Sequence, residues 1–524
     1  MKVTHKSFKK KILLVNPPVL SVLEPWYDAP DFPRTALACL AAYVVHKNPD
    51  IEVHCIDAKL DRLNFDETLQ RILNHQPDYV GLTAFTNEIK PAAYLAGLIK
   101  RNDSTIITIC GGAHITAIPE FTMNEFPTFD IGVIGEGEQT LSELLIALNI
   151  GKDMDAVKGI IYRSGNDLHK TSPRNRLLDL DDLPMPAWHL MPPAKEYFIQ
   201  SERGCPFACI FCLNHNGKVA RKRGVEKTLD EMEWLIDYGA KRISFGDELF
   251  SVDMVRAEKI LDGIIERGIG LRVSWDIQTH VAFVNDNLFK KMKMANIAKC
   301  EMGVEAGDGE TLKRMGKATN RKMIIDAFRL ADKHNVVTGS FFILGQPNET
   351  YKTIWETIKL GISINPKEPI FGTMVPYPGT EVAKMAAEGK NGLKLVSTDW
   401  DEYRKQLNGS MELENISRTK LEWLQIFGFV IVFLANLRLL DFLKFFWIYR
   451  KGALKLLSKA ISGKKTTTGL SENPKDYESV INSPFKLSKF DIITARESWK
   501  NYQSVEVQNA KRLKPELLKE QMPV

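Results

Sequence analysis

Short apolar runs alternate with amphipathic stretches over the first third of the chain, the pattern of parallel strands joined by crossover helices. It predicts five strands: Ile12 to Val15, Val53 to Ile56, Tyr79 to Leu82, Ile106 to Ile109 and Ile131 to Ile134. The loops after the last three are rich in Gly, Thr and acidic residues: Gly81 to Thr86, Gly111-Gly112-Ala113-His114 and Gly135-Glu136-Gly137-Glu138. They fall at the carboxyl ends of the strands, where open α/β sheets bind ligands. From Tyr162 to Pro193 the sequence turns polar and proline-rich and reads as a linker.

A second alternation follows, with strands expected at Tyr197 to Gln200, Arg242 to Phe245, Arg272 to Asp276, Cys300 to Val304, Thr338 to Leu344 and Ile370 to Val375. Six such units form a partial (β/α)6 barrel of the TIM type, whose active face is the carboxyl-terminal one. Beyond Lys390 the pattern becomes helical, with 463–468 as a flexible break in a charged tail. The expected fold class is therefore α/β in four parts: a Rossmann-like domain (1–160), a linker (161–195), a partial barrel (196–390) and a helical region (391–524). Within the last part, Trp423 to Leu437 has no charged residue but is shorter than the roughly 20 residues that a bilayer span needs. The longer stretch from Leu421 to Tyr449 reads either as a core helix pair or as an interfacial helix making peripheral membrane contact.

Composition narrows the class. At 524 residues the chain is too long for one ordinary domain, and 44% apolar with 26% charged residues is the balance of a soluble globular protein. The net charge of +5 is small and interspersed, so no nucleic-acid footprint stands out. Of the seven cysteines, Cys39, Cys55, Cys110 and Cys300 are scattered, the usage of a reduced, cytoplasmic compartment. The lysines of the amino terminus precede an apolar run broken at once by Asn16-Pro17-Pro18, which reads as a first strand and not as a signal peptide.

The other three cysteines stand together in Ser201-Glu202-Arg203-Gly204-Cys205-Pro206-Phe207-Ala208-Cys209-Ile210-Phe211-Cys212. They supply three thiolates where a cubane iron-sulfur cluster ordinarily takes four. A zinc site would pair such a set with a second Cys/His pair, and none follows. The CxxxCxxC spacing, with an aromatic before the last cysteine, resembles the signature of the radical S-adenosylmethionine enzymes. The resemblance implies a 4Fe-4S cluster on Cys205, Cys209 and Cys212, whose open iron binds the amino and carboxylate groups of S-adenosylmethionine and whose reduction yields a 5'-deoxyadenosyl radical.

Further motifs continue the resemblance. Gly246-Asp247-Glu248 is similar to the family's glycine-rich acidic motif for the methionyl ammonium, with the choice between Asp247 and Glu248 open. Glu305 matches the position that contacts the ribose, Gly345-Gln346-Pro347 the motif near adenine, and Phe211 the residue whose backbone holds the adenine amine. Pro376 to Thr380 resembles the end of the barrel, and Arg203 and Lys299, the nearest cations in sequence, read as solvated or ion-paired residues.

The amino-terminal loops resemble the cobalamin-binding domain of one branch of the same family. Gly111, Gly112, Gly135 and Gly137 would let backbone amides approach a nucleotide tail. Thr83 and Thr86 would offer hydroxyls, Glu136 belongs to the last loop, and His114 would contact the corrin or cap a helix. An Asp-x-His-x-x-Gly element is absent, so the resemblance implies cobalt without a histidine lower ligand. The other reading is a flavodoxin-like domain that is empty or takes another dinucleotide.

Together the resemblances imply a cobalamin-dependent methyltransferase acting on an unactivated carbon, with an electron donor such as flavodoxin or ferredoxin. The alternatives are a non-methylating radical cyclisation or ring rearrangement and a non-catalytic corrinoid-binding protein. Hopanoid lipid, sugar, peptide and antibiotic precursor all stay open as the small-molecule substrate.

Overall fold

The computed structural model of the chain describes residues 9–19, 29–406, 409–444, 446–447, 450, 479–481 and 488–513. The expected break at 463–468 lies outside them, as do Phe445, Ile448 and Tyr449 of the apolar stretch.

Seven strands build the first sheet: β1 (Lys10–Asn16), β2 (Ile51–Asp57), β3 (Tyr79–Thr83), β4 (Ile107–Gly111), β5 (Ile131–Val133), β6 (Ile160–Ser164) and β7 (Asp167–Lys170). Their order is β2-β1-β3-β4-β5-β6-β7. The first five are parallel, and the order reverses between β1 and β3, the kind of switch point at which such sheets open a crevice. The strand expectations hold here to within a residue or two.

The linker expectation does not. Ile160 and Ile161 are fully buried on opposite faces of β6, one in each of the two cores that flank the sheet, and β6 and β7 add an antiparallel hairpin to the sheet edge. The remainder is tied down as well. The Ala187 amide donates to the carbonyl of Ala38 at 2.9 Å, and the buried Trp188 indole donates to Glu231 at 3.0 Å.

The second sheet is all parallel: β8 (Glu196–Ile199), then, after the short antiparallel pair β9 (Glu202–Arg203) and β10 (Arg221–Lys222), β11 (Arg242–Phe245), β12 (Ser274–Thr279), β13 (Lys299–Glu305), β14 (Thr338–Leu344) and β15 (Glu368–Thr373). The order β15-β14-β13-β12-β11-β8 leaves β8 and β15 as the two edges of an open barrel. Two strands shift from their expected positions. Ile269–Arg272 forms a helical turn, which moves the start of β12 two residues on, to Ser274, and β15 begins two residues early, at Glu368.

Beyond the barrel the helical expectation holds only in part. β16 (Leu393–Leu395) and β17 (Met411–Leu413) form an antiparallel pair around a short turn at Trp400–Glu402. Helix Arg418–Ala435 then packs on β15 and on helix Tyr351–Ile364, and the terminal helix Lys489–Leu513 packs on helix Glu381–Glu388. One continuous core joins the two sheets through helix Thr35–Lys47, whose Thr35 hydroxyl donates to the carbonyl of Phe198 in β8 at 2.7 Å. The carboxyl ends of both sheets are thus held in a fixed relation.

Candidate active site

The cysteine loop connects β9 and β10. Gly204 at its entry has φ +101°, and a side chain there would set its Cβ 2.2 Å from the carbonyl oxygen of Val219, so glycine is required. Inside the loop, the Cys205 amide donates to Gly217 O at 2.9 Å, Asn214 Nδ2 to Cys205 O at 2.5 Å and the Cys212 amide to Cys209 O at 3.1 Å. Distant elements satisfy the outside. The Ile210 amide donates to Met315 O at 3.1 Å, the Val382 amide to Ile210 O at 3.2 Å and the Trp499 indole to Leu213 O at 2.7 Å. Buried backbone groups need partners, and this loop finds them on three sides.

Cys205 and Cys209 are half-buried and Cys212 is exposed, yet burial raises the proton affinity of all three thiols, that of Cys209 to about 12. Cys205 feels the charge of both other thiols, so the three are neighbours, while the remaining cysteines lie in helix Thr35–Lys47, β2, β4 and β13. This donor set fits a cubane cluster with one iron left open, because such clusters take thiolates and metal binding displaces the thiol protons.

The adjacent acids of the second-strand motif have different jobs. Asp247 is buried and accepts from the Ser201 amide at 2.7 Å, the Glu202 amide at 2.9 Å and the Ser201 hydroxyl at 2.5 Å. Burial raises its pKa to about 6, against these donors and the charge of Arg256. Its acceptor capacity goes to holding β9 against β11. Glu248 is half-buried and turned to the cysteine loop, accepting from the Gly204 amide at 3.3 Å and from Asn216 Nδ2.

Glu305 ends β13 at a register shift and has φ +65°, a costly backbone conformation for a side-chain-bearing residue and one that marks functional sites. Lys317 binds its carboxylate and also donates to Gly303 O at 2.8 Å. Both Lys317 and Glu305 act electrostatically on Cys209, which places them beside the thiols. In the Gly345-Gln346-Pro347 turn, Glu349 accepts from the Gly345 amide at 2.7 Å and the Gln346 amide at 2.9 Å. Phe211 packs, half-buried, against the barrel core.

At the other sheet, Gly112 has φ +107°, and a Cβ there would meet Ala84 O at 2.6 Å, while a Cβ on Gly111 would find nothing within 4 Å. Open space beside one glycine and a backbone-crowded second one make a cradle that a bulky side chain would fill. His114 departs from expectation: it is not a loop residue but is fully buried in the short helix Ala113–Ala117. Its Nδ1 lies 3.3 Å from Thr86 Oγ1, its Nε2 has no partner among the described residues, and burial lowers its pKa to about 3. An orphaned buried nitrogen next to an open glycine fits a polar ligand at this edge, as cobalamin would be. Thr83 closes β3 nearby, Gly135 has φ +83°, and Gly137 begins the helix that follows.

Glu136 is committed elsewhere. Its carboxylate takes Arg221 in a bidentate pair at 2.6 and 2.9 Å, with Arg176 at 3.7 Å and Arg203 at 3.8 Å, and these guanidinium groups depress its pKa to about 2 despite burial. Arg203 also pairs with Glu138 at 2.7 Å. Since Arg203 and Arg221 flank the cysteine loop and Glu136 belongs to the loop after β5, this cluster fastens one candidate site to the other. Lys299 starts β13, at the end opposite Glu305, and pairs there with Glu301 and Glu368 at 2.7 Å each.

Several participants escaped the sequence reading. His280 stacks on Phe207 at 4.6 Å; its Nδ1 accepts from the Ala282 amide at 3.0 Å, which leaves Nε2 to donate to Lys317 O at 2.9 Å. Trp400, almost 300 residues from His114, meets that ring edge-on at 4.8 Å and donates to Glu125 at 2.7 Å. Arg34 and Lys59 each pair with the buried Glu88 at 2.5 Å at the same edge. Glu88 follows the third-strand loop by two residues, a signal that could have been read. Nothing local announces Trp400.

Comparison with known proteins identifies the two domains. The model of the B12 binding domain matches residues 29–145, and that of the Radical SAM superfamily matches residues 199–361. An uncharacterized methyltransferase of Pyrococcus horikoshii is 32% identical over 403 residues, 75% of this chain and 86% of the relative. The anaerobic magnesium-protoporphyrin IX monomethyl ester cyclase of Rubrivivax gelatinosus is 28% identical over 68% of this chain and 66% of its own length. Among solved structures, the cobalamin-dependent S-adenosylmethionine radical enzyme OxsB with aqua-cobalamin bound superposes with a TM-score of 0.67 at 17% identity, over 96% of this chain and 80% of that one.

Proposed function

This chain belongs to the radical S-adenosylmethionine enzymes that carry a B12-binding domain, and we propose that it transfers a methyl group to an unactivated carbon of a small molecule. The observation that carries the reading is the Glu136–Arg221–Arg203 cluster, which ties the ligand edge of the first sheet to the strands flanking Cys205, Cys209 and Cys212. A carrier domain and a radical-generating loop that must cooperate on one substrate need a fixed relation of this kind.

Cys205, Cys209 and Cys212 would hold the 4Fe-4S cluster, and Gly111, Gly112, Gly135, Gly137, Thr83, Thr86 and His114 would receive cobalamin. When bound, the cluster delivers the electron that cleaves S-adenosylmethionine, and cobalamin carries the methyl group. Glu248, and not Asp247, is the carboxylate free to take the methionyl ammonium, since Asp247 already accepts three hydrogen bonds from the chain. Glu305 with Lys317 would position the ribose, Gly246 lets the chain pass close to the amino acid end, and Gly345 with the Phe211 backbone would frame adenine. Burial of Phe207, Leu249 and Val252 beside the thiols keeps water from the radical. A small flavodoxin or ferredoxin would supply the electron.

The test is anaerobic turnover with methyl-labelled S-adenosylmethionine. Label in the product together with 5'-deoxyadenosine is expected. Formation of 5'-deoxyadenosine with unlabelled product would replace methyl transfer by the cyclisation reading, for which the 28% identical cyclase is the supporting relative.

A further inference from the structure

Helix Arg418–Ala435 is apolar on both sides. Its face toward the barrel buries Leu421, Val432 and Phe433 together with Glu422, Gln425 and Gly428, and Gln425 Nε2 donates to Phe371 O at 2.6 Å, while its outer face exposes Trp423 and Phe427. A water-facing helix carries polar residues on that outer face. The chain that follows widens the same surface: Leu437, Leu440 and Trp447 are 92%, 75% and 68% exposed, and Trp355 joins from helix Tyr351–Ile364 with its ring 6.1 Å from that of Phe427. Single exposed apolar residues are ordinary; a connected set of this size marks an interaction surface.

Charge says what kind. Between positions 418 and 450 stand five basic residues, Arg418, Lys420, Arg438, Lys444 and Arg450, against two acids, Glu422 and Asp441. Both acids are withdrawn: Glu422 is buried, and Asp441 pairs with Arg438 at 2.9 Å and Lys367 at 2.7 Å. Arg450 lies over the exposed ring of Trp447 at 4.4 Å, a cation at the rim of apolar surface, whereas Arg438 is turned inward to Asp441 and to the carbonyls of Pro366 and Lys367. The sequence that continues from there, 451–465, adds five lysines and no acid. A second copy of the chain on this face would bring like charges together.

We propose that this face docks on an anionic bilayer, with tryptophans and leucines entering the headgroup boundary and the basic residues meeting lipid phosphates. Among the described residues no helix is long and apolar enough to cross a membrane, so the contact is peripheral. The inference stands on the surface alone and does not depend on the reaction the enzyme performs.

The experiment is flotation of the full chain, reconstituted with its cofactors, on vesicles of phosphatidylcholine alone or of phosphatidylcholine with phosphatidylglycerol. Binding to the anionic vesicles should be at least about tenfold stronger and should weaken in high salt. The double variant Leu440→Glu with Trp447→Glu should lose about tenfold in vesicle binding while still forming 5'-deoxyadenosine, which shows that it is folded. Equal binding to both vesicle types, unchanged binding of the variant, or a lipid-independent doubling of mass in solution that the variant abolishes would each overturn the proposal.

Discussion

The cysteine loop and the ligand edge of the first sheet are built on opposite plans. The loop carries its three donors between positions 205 and 212 and recruits distant elements to hold its backbone, at Ile210 and Leu213. The edge of the first sheet is assembled from loops after three strands and is covered from outside by Trp400 and Tyr403, both fully buried. A site that contains its own chemistry tolerates changes in its supports; one whose walls come from elsewhere does not.

The largest effect that would break this contrast is at the thiols. Cys209→Ala should lower 5'-deoxyadenosine formation by at least about a thousandfold while corrinoid retention, followed by its absorbance, stays unchanged. Joint loss of both would mean that the two sites are not separable. Next comes Trp400→Ala, which removes a fully buried side chain from the second site and should lower the unfolding free energy by about 3–5 kcal/mol in urea titration. Retained stability would show that the edge is not built from this distant segment.

Glu248→Gln separates the two neighbouring acids. It should cost about 10- to 100-fold in kcat/KM for S-adenosylmethionine, the worth of one charge-assisted bond, with little change in stability. Asp247→Asn should instead destabilise the fold, because the replacement amide cannot accept all three donors.

The smallest effect concerns His114. Its folded pKa of about 3 lies below the ordinary 6.5, so the unfolded chain binds the proton more tightly and stability is lost as pH falls below 6.5. Between pH 7 and pH 5 this amounts to about 2 kcal/mol. His114→Phe should remove that increment from the difference between variant and parent cofactor-free proteins, and a parallel pH dependence of the two would mean that His114 is protonated in the fold.

Legibility followed the same division. Strand positions could be read where apolar runs are continuous, and the triad where all donors are local. The hairpin at Ile160 to Lys170 is hidden because beyond the adjacent pair Ile160 and Ile161 its strands are mostly polar. His114 was misplaced because a five-residue helix in Gly-Gly-Ala-His-Ile has no room for a helical period. The division of labour between Asp247 and Glu248 depends on Ser201 and Glu202 lying opposite, a tertiary fact. Lys317 and Trp400 carry no local pattern, since each is defined only by what the fold brings to it.

The terminal helix has a consequence in time. Trp499 braces the carbonyl of Leu213 across 286 positions of chain, so the brace cannot form until all of them have been synthesised. At ordinary rates of translation the interval is about 15–60 s. Throughout that window the nascent cysteine loop lacks its support on this side, and helix Lys489–Leu513 supplies it afterwards.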